Sequence, residues 1–179
     1  SIELLYYPFN LYSLTKVLKI IRKNNINYFL IGNGSNVLAN DNFFHGVVIS
    51  LKYMDFKYEL KGDYVRVSGG FSAARLIFSL MKDDVGGLEF LVGIPGTIGG
   101  IINMNAGAYG HTISDILEEV KVIDKDNNIR IIKKNDLNFS YRNSRIKEEE
   151  MIVIEALIRI EKKDKSDIKE EIKIKYKDK

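Results

Sequence analysis

The sequence predicts an α+β fold with short strands and few helices. Apolar residues recur every three or four positions in only a few stretches, and that spacing is the period of a helix. Most other apolar residues lie in short runs, and two pairs of these runs flank polar turns of the kind that close hairpins. With 179 residues, 45% of them hydrophobic, the chain can bury the core of one domain or of two small ones.

The first predicted elements are a helix and two strands. Residues 11–23 have apolar side chains at helical spacing, and Asn24-Asn25 ends the pattern. The run Tyr28–Ile31 is wholly apolar, so we expect a strand that is buried on both faces and stops at Gly32. Residues 46–50 predict a second strand of the same kind.

A second group of elements follows. Ser72 is placed to cap a helix, and we expect Gly86-Gly87 to close that helix. Two hairpins are predicted over residues 57–68 and 120–133, and a last strand over Met151–Ile160.

The segment 161–179 differs from the rest, because 14 of its 19 residues are charged. Ile168, Ile172 and Tyr176 lie four residues apart and give a thin apolar stripe. Such a helix buries little by itself, so we expect it to fray or to lead into a further domain.

Composition excludes several classes of site. The 27 basic and 24 acidic side chains are mixed along the chain, which indicates a solvated surface and no nucleic-acid partner. The absence of cysteine excludes disulfides and thiolate chemistry, and two isolated histidines predict no metal site. No apolar run is long enough to insert into a membrane, and no signal peptide opens the chain, which begins at Ser1. We therefore expect a cytoplasmic protein.

Gly32-Asn33-Gly34-Ser35-Asn36 follows the first predicted strand directly. Glycine permits close approach of a ligand to the backbone, and successive N–H groups in such a turn can hold a phosphate. A tight polar turn without a ligand explains the pentapeptide equally well. It is not a P-loop, because the sequence contains no GxxxxGKS or GxxxxGKT motif. Nor is it the dinucleotide-binding fingerprint, because Val37 occupies the third glycine position.

Two further segments carry candidate site residues. Residues 86–110 contain three turns rich in glycine and alanine, against which a flat ligand could lie, although a packing role is the alternative. Phe139–Ser144 places Arg142 beside an aromatic ring and small hydroxyls. An arginine in that setting can hold an anion, but by itself it is more simply a surface residue.

Together and in this order, the segments resemble the UDP-N-acetylenolpyruvoylglucosamine reductases, flavoenzymes of peptidoglycan precursor synthesis. The motifs that carry the resemblance are Gly-Asn-Gly-Ser-Asn from Gly32, Gly-Ile-Pro-Gly-Thr-Ile-Gly-Gly from Gly93, Asn-Ala-Gly-Ala-Tyr-Gly from Asn105 and Tyr-Arg-Asn-Ser from Tyr141. None is specific alone. The resemblance implies a two-lobed FAD-binding domain of the vanillyl-alcohol-oxidase-like class.

The resemblance also implies site residues and a division of the chain. It implies cofactor contacts at Gly32, Asn33, Gly34, Ser35, Asn36, Gly93, Pro95, Gly96, Thr97, Gly99, Gly100, Asn105, Gly107, Ala108 and Tyr109. It implies substrate contacts at Tyr141 and Arg142, with Arg142 catalytic. It further implies a first FAD-binding lobe over residues 1–55, a second over 56–160, and a tail over 161–179 that leads to a substrate domain absent from this chain.

The implied reaction is reduction of UDP-N-acetylglucosamine enolpyruvate to UDP-N-acetylmuramate, with FAD as cofactor and NADPH as co-substrate. In that reaction Arg142 would face an enolate-like anion, while a serine outside this chain protonates the substrate. We expect FAD to be held without a covalent bond, because neither His45 nor His111 lies in the first glycine segment. Three alternatives stay open: another oxidoreductase of this fold, a flavin-binding module without turnover, and a nucleotide-binding regulator.

Overall fold

The computed structural model of the chain describes residues 1–35, 37, 42–54 and 57–177. The described α-helices are α1 (Leu11–Lys23), α2 (Ala73–Leu80), α3 (Ile98–Asn103), α4 (Arg145–Glu148) and α5 (Lys165–Lys177). The described strands are β1 (Ile2–Tyr6), β2 (Tyr28–Ile31), β3 (Phe44–Ser50), β4 (Tyr58–Lys61), β5 (Tyr64–Ser68), β6 (Val85–Gly86), β7 (Gly107–Ala108), β8 (His111–Thr112), β9 (Leu117–Ile123), β10 (Ile129–Lys133), β11 (Ile152–Arg159) and β12 (Glu161–Lys162).

A parallel sheet in the order β1-β3-β2 forms the N-terminal part of the fold. Helix α1 begins at a capping box in which Asn10 and Ser13 satisfy each other's backbone N–H groups. Its apolar stripe buries Leu14 and Leu18 completely. The predicted helix and the positions of both predicted strands in this region are therefore confirmed, and β1 is an additional strand that the sequence analysis did not identify.

A five-stranded antiparallel sheet in the order β10-β9-β11-β5-β4 forms the larger part. Both predicted hairpins are present as β4–β5 and β9–β10, and the predicted last strand is β11. Helices α2 and α3 contribute Leu76 and Ile102 to the same core cluster as this sheet. The α+β prediction is confirmed.

The two sheets share a core. Ile123 and Ile152 of the large sheet belong to the apolar cluster formed by Leu14 and Leu18 of α1. Arg22 at the end of α1 adds a polar link, because its guanidinium donates to the backbone carbonyl of Asp124 over 2.7 Å. The predicted boundary between residues 55 and 56 lies outside the described residues.

Strand β2 differs from the prediction, because it is not buried on both faces. It lies at the edge of its sheet, and 45% of Phe29 is exposed. An apolar run predicts a hydrophobic strand, but the tertiary fold decides whether other elements cover one or both of its faces.

The end of α2 also differs from the prediction. The helix ends at Leu80, and the chain then turns through Asp84 in the left-handed conformation. Gly86 lies in β6, and a Cβ there would come within 2.3 Å of the carboxylate of Glu89, which is buried. The glycine pair therefore accommodates the packing around Glu89 and does not close the helix.

Residues 165–177 of the charged tail form helix α5, which packs on the core of the large sheet, so the expectation that this segment frays was wrong. The alternative, that the tail leads into a further domain, stays a prediction. Ile168 is 1% and Ile172 is 7% exposed, and both belong to the larger apolar cluster. Glu171 pairs with Lys163 and with Lys175. Burial opposes ionisation of Glu171, yet the hydrogen bonds from these two lysines lower its pKa overall.

Among the described residues, no helix is both long and apolar enough to cross a membrane.

Candidate functional site

A cavity of about 300 Å³ lies between the two sheets. Strand β2 forms one wall, and the residues before β11 form another. Its lining residues are Tyr28, Phe29, Leu30, Ile31, Gly32, Leu51, Lys52, Gly69, Gly70, Thr97, Gly99, Gly100, Asn103, Ile146, Lys147, Glu150, Met151, Ile152 and Val153. The cavity therefore brings together the end of the first predicted strand and the second glycine segment.

The first and second glycine segments touch each other at the cavity. The hydroxyl of Ser35 donates to the carbonyl of Pro95 over 2.6 Å. A Cβ on Gly32 would lie 2.7 Å from the hydroxyl oxygen of Thr97, so only glycine permits this approach. Gly34 has a φ of 73°, in the left-handed region that glycine adopts readily. Asn36 lies outside the described residues.

Helix α3 presents the second segment to the cavity. Thr97 caps the helix by accepting a hydrogen bond from the N–H of Gly100 over 3.3 Å. The N–H of Gly99 donates to the carbonyl of Gly69 over 2.7 Å, which fixes the helix to the end of β5. Gly100 is exposed, and a Cβ there would meet only Thr97 within 4 Å, at 3.3 Å.

The cavity also contains residues that the sequence analysis missed. Gly69 and Gly70 line the cavity. A Cβ on Gly69 would lie 2.1 Å from the carbonyl oxygen of Val153, and a Cβ on Gly70 would lie 2.4 Å from the carbonyl oxygen of Leu51. The adjacent glycine pair before the cap residue Ser72 was a signal that could have found them. Three charged side chains also line the cavity, namely Lys52, Lys147 and Glu150.

The third glycine-rich stretch is not part of the cavity wall. Of the described lining residues, this region contributes Asn103 but none of residues 105–110. A Cβ on Gly107 would lie 1.9 Å from the carbonyl oxygen of His111, so that glycine is required by the β7–β8 pairing. Tyr109 donates its hydroxyl proton to the carbonyl of Lys175 in α5. The cofactor contacts expected at Gly107, Ala108 and Tyr109 remain predictions.

Tyr141 and Arg142 lie on a turn outside the cavity lining. Tyr141 is 88% exposed, and the guanidinium carbon of Arg142 lies 5.7 Å from the centroid of its ring. Lys147, which does line the cavity, donates to the carbonyl of Arg142 over 3.3 Å. The turn therefore borders the site through α4 and leaves both side chains accessible.

The lining residues fit FAD, which carries a pyrophosphate and two flat ring systems. Lys52 and Lys147 supply positive charge, and the backbone of the glycine segments can approach phosphate oxygens closely. The exposed ring of Phe29 supplies an apolar surface on the β2 wall. Among the described residues, no group of acidic or histidine side chains is arranged to hold a metal ion.

A family model described as "FAD binding domain" matches residues 2–133. The chain belongs to the FAD-binding domain family. The match covers the cavity's β2 wall, both glycine segments that meet there and the β9–β10 hairpin. The cofactor implied by the sequence motifs is therefore confirmed as FAD.

Curated relatives and solved structures agree with this membership. The chain is 39% identical over 155 residues to a UDP-N-acetylenolpyruvoylglucosamine reductase of Caldicellulosiruptor saccharolyticus, which covers 87% of this chain and 50% of that relative. It is 40% identical over 171 residues to the enzyme of the same name from Clostridium botulinum. That match covers 95% of this chain and 55% of that relative. The resemblance stated from the sequence motifs is confirmed.

The fold is also that of solved structures. The UDP-N-acetylenolpyruvylglucosamine reductase of Thermus caldophilus superimposes with a TM-score of 0.80 at 27% identity, covering 95% of this chain and 60% of that one. An alkyldihydroxyacetonephosphate synthase has the same fold, with a TM-score of 0.64 at 17% identity, covering 88% of this chain and 34% of that one. The chain spans about half the length of the curated relatives it matches.

Proposed function

We propose that this chain supplies the flavin site of an enzyme that reduces UDP-N-acetylglucosamine enolpyruvate to UDP-N-acetylmuramate with NADPH. The observation that supports this most directly is the cavity between the two sheets, where the family's first two glycine motifs meet. The relatives named as this reductase support the substrate class. We further propose that the reaction takes place in the cytoplasm, on the route to peptidoglycan.

Bound FAD would supply the hydride chemistry that links NADPH to the substrate. The proposed contacts from the first two glycine segments are Gly32, Asn33, Gly34, Ser35, Asn36, Gly93, Pro95, Gly96, Thr97, Gly99 and Gly100. Backbone amides of the first segment would orient the cofactor's phosphates, and the glycines of both segments leave the space that the cofactor needs. We retain Asn105, Gly107, Ala108 and Tyr109 only as candidates for contact with the cofactor.

Arg142 is the proposed catalytic group, and Tyr141 lies beside it at the substrate. Hydride addition to the enolpyruvyl group leaves an enolate-like anion. A guanidinium held next to that anion stabilises it by charge-assisted hydrogen bonds, and removal of one such donor costs about 3–4 kcal/mol in other enzymes. The exposure of Arg142 supports this role, because the side chain is accessible to a substrate.

We also propose a division into lobes at 1–55 and 56–160, with residues 161–179 connecting to a substrate-binding part. The two sheets support this division, because β1–β3 form one and β4, β5 and β9–β11 form the other. The connecting segment is helix α5 with β12 before it, and it packs on the second lobe.

The test separates cofactor binding from substrate reduction. The chain itself should bind FAD and show flavin absorbance, and denaturation should release all of the colour. In a version that extends past Lys179 to the length of the relatives, Arg142→Ala should leave flavin reduction by NADPH intact. It should slow reduction of the enolpyruvyl substrate by about 100-fold or more in stopped-flow measurements.

Other outcomes would contradict parts of the proposal. Absence of flavin bands after incubation with FAD would exclude the flavin site. Equal slowing of both half-reactions would mean that Arg142 holds FAD or NADPH. A third outcome is that the chain binds FAD but its extended version oxidises no NADPH with the enolpyruvyl substrate. That result would favour the alternative function, a flavin-binding module without turnover.

A further inference from the structure

The turn that carries Arg142 has a backbone geometry that arginine does not favour. Ser140 and Asn143 close it with two backbone hydrogen bonds of 3.1 and 3.2 Å. Arg142 lies at the third of the four positions with a φ of 52°, where glycine or asparagine is usual. A residue held in this region needs surrounding contacts that outweigh the local strain.

The side-chain amide of Asn105 supplies one of these contacts. Its Nδ2 donates to the carbonyl of Ser140 over 3.1 Å, at the first position of the turn. Its Oδ1 accepts a hydrogen bond from the N–H of Ser114 over 3.4 Å. Both ends of the amide are thus engaged by the protein, and they join the segment after α3 to the turn that carries Arg142.

The hydroxyl of Ser144 supplies a second contact. Ser144 is fully buried, and its Oγ donates to the carbonyl of Asn103 over 2.8 Å. The same oxygen caps α4 by accepting from the N–H of Lys147. Asn103 ends α3 and lines the cavity, so Ser144 fixes the residues after Arg142 to the cavity wall.

We propose that Asn105 and Ser144 are positioning residues that hold the turn of Arg142 against helix α3. This inference rests on the proposed function, in which Arg142 meets the charge that develops on the substrate. The two side chains fix both sides of the turn to the helix that also presents Gly99 and Gly100. They thereby couple the position of the guanidinium to the position of the cofactor. Asn105 acts on the turn through its side-chain N–H, and the cofactor contact proposed for this residue is left to its backbone, which Asn105→Asp does not change.

The decisive variant is Asn105→Asp. Aspartate retains the size, the acceptor for Ser114 and the tolerance of the left-handed backbone that Asn105 adopts, with a φ of 43°. It loses only the N–H donor and places a carboxylate against the carbonyl of Ser140. The matched control is Asn138→Asp, because Asn138 is exposed and has a similar φ of 47°.

The experiment uses the extended, FAD-bound version described above. Asn105→Asp should slow substrate reduction by about tenfold or more, with flavin reduction by NADPH and the flavin spectrum unchanged. Ser144→Ala should show the same pattern. Combined with Arg142→Ala, Asn105→Asp should cause no further loss, because its effect passes through Arg142. Asn138→Asp should behave as the unmodified protein.

A second readout does not require turnover. In the chain itself, Asn105→Asp should speed hydrogen exchange of the Asn143 amide, which closes the turn. If Asn105→Asp slows the reaction equally with and without Arg142, or leaves that amide protected, the positioning role is wrong. If Arg142→Ala slows substrate reduction but Asn105→Asp does not, the positioning role alone fails. If Arg142→Ala has no effect, the proposed role of Arg142 fails, and the positioning role with it.

Discussion

Gly100 is the residue at which cofactor binding and folding are most clearly separable. It lines the cavity, and an added Cβ would meet only the hydroxyl of Thr97 at close range. We expect Gly100→Ala to change the free energy of unfolding of the FAD-free chain by less than about 1 kcal/mol, because alanine favours a helix. Crowding of a close contact costs about 1–3 kcal/mol, so the FAD dissociation constant should rise by about tenfold or more.

The control for Gly100 is Gly62→Ala in the β4–β5 turn. Gly62 has a φ of 59° and no neighbour within 4 Å of an added Cβ, so alanine there strains the backbone without filling the cavity. It should destabilise the chain by about 1 kcal/mol and leave FAD affinity unchanged. Fluorescence titration with FAD and urea unfolding measure the two quantities. Unchanged FAD affinity in Gly100→Ala would show that the cofactor does not approach this residue.

Asp124 makes the stability of the chain dependent on pH in acid. Burial opposes its ionisation, but hydrogen bonds from Asn128 and from the N–H of Asp126 lower the pKa of Asp124 overall. Because its pKa is lower in the folded than in the unfolded state, ionised Asp124 stabilises the fold at neutral pH. That stabilisation is lost as the pH falls below about 4.

The test compares Asp124→Asn with the unmodified chain by urea unfolding between pH 3 and pH 6. The variant should lose less stability on acidification, because the group that must be protonated is gone. Asp126→Asn removes an exposed carboxylate from the same turn and should keep the acid dependence. Identical pH profiles for all three proteins would exclude the contribution of Asp124.

At the scale of elements, helix α5 is more deeply buried than the sequence analysis expected. Ile168 is 1% exposed in the core, whereas Ile174 on the same helix is 54% exposed. Ile168→Ala should lower the free energy of unfolding by about 2–5 kcal/mol, because it leaves a cavity in the core. Ile174→Ala should change it by less than about 0.5 kcal/mol. Similar small effects in the two variants, measured by urea unfolding, would mean that α5 is not docked.

At the scale of the whole molecule, Arg22 joins the two sheets. Its guanidinium donates to the backbone carbonyl of Asp124 over 2.7 Å, to Asn127 Oδ1 over 2.8 Å and to the hydroxyl of Tyr28 over 3.0 Å. A hydrogen bond to a charged group contributes about 1.5–3 kcal/mol. Arg22→Ala should therefore destabilise the chain by at least this amount, and the two sheets should still unfold in one transition because they share a core.

Lys23→Ala is the matched control for Arg22, since Lys23 is the exposed neighbour in the last turn of α1. It should leave stability within about 0.5 kcal/mol of the unmodified chain. Far-ultraviolet circular dichroism and tyrosine fluorescence report the two sheets together, and their transitions should coincide. Two separate transitions in the unmodified chain would contradict the shared core.

Most of the secondary structure could be predicted from local patterns. The helical spacing in α1, the polar turns of both hairpins and the apolar run of β11 are properties of neighbouring residues. The motifs around Gly32 and Gly93 indicated FAD only through their resemblance to a known family, because by themselves they fit polar turns without a ligand equally well. These features need no knowledge of what packs against them.

Tertiary structure alone decided the rest, because it depends on residues far apart in sequence. Position 69 requires glycine because the backbone carbonyl of Val153 approaches it too closely for a Cβ. The side-chain amide of Asn105 donates to the carbonyl of Ser140. The burial of α5 likewise depends on the apolar surface left open by the large sheet, which its own charged sequence does not reveal. The sequence by itself determined the α+β class, which follows from local patterns, and it indicated the cofactor through the resemblance of its motifs to a known family. Only the tertiary contacts decided which glycines face the cavity and which serve packing.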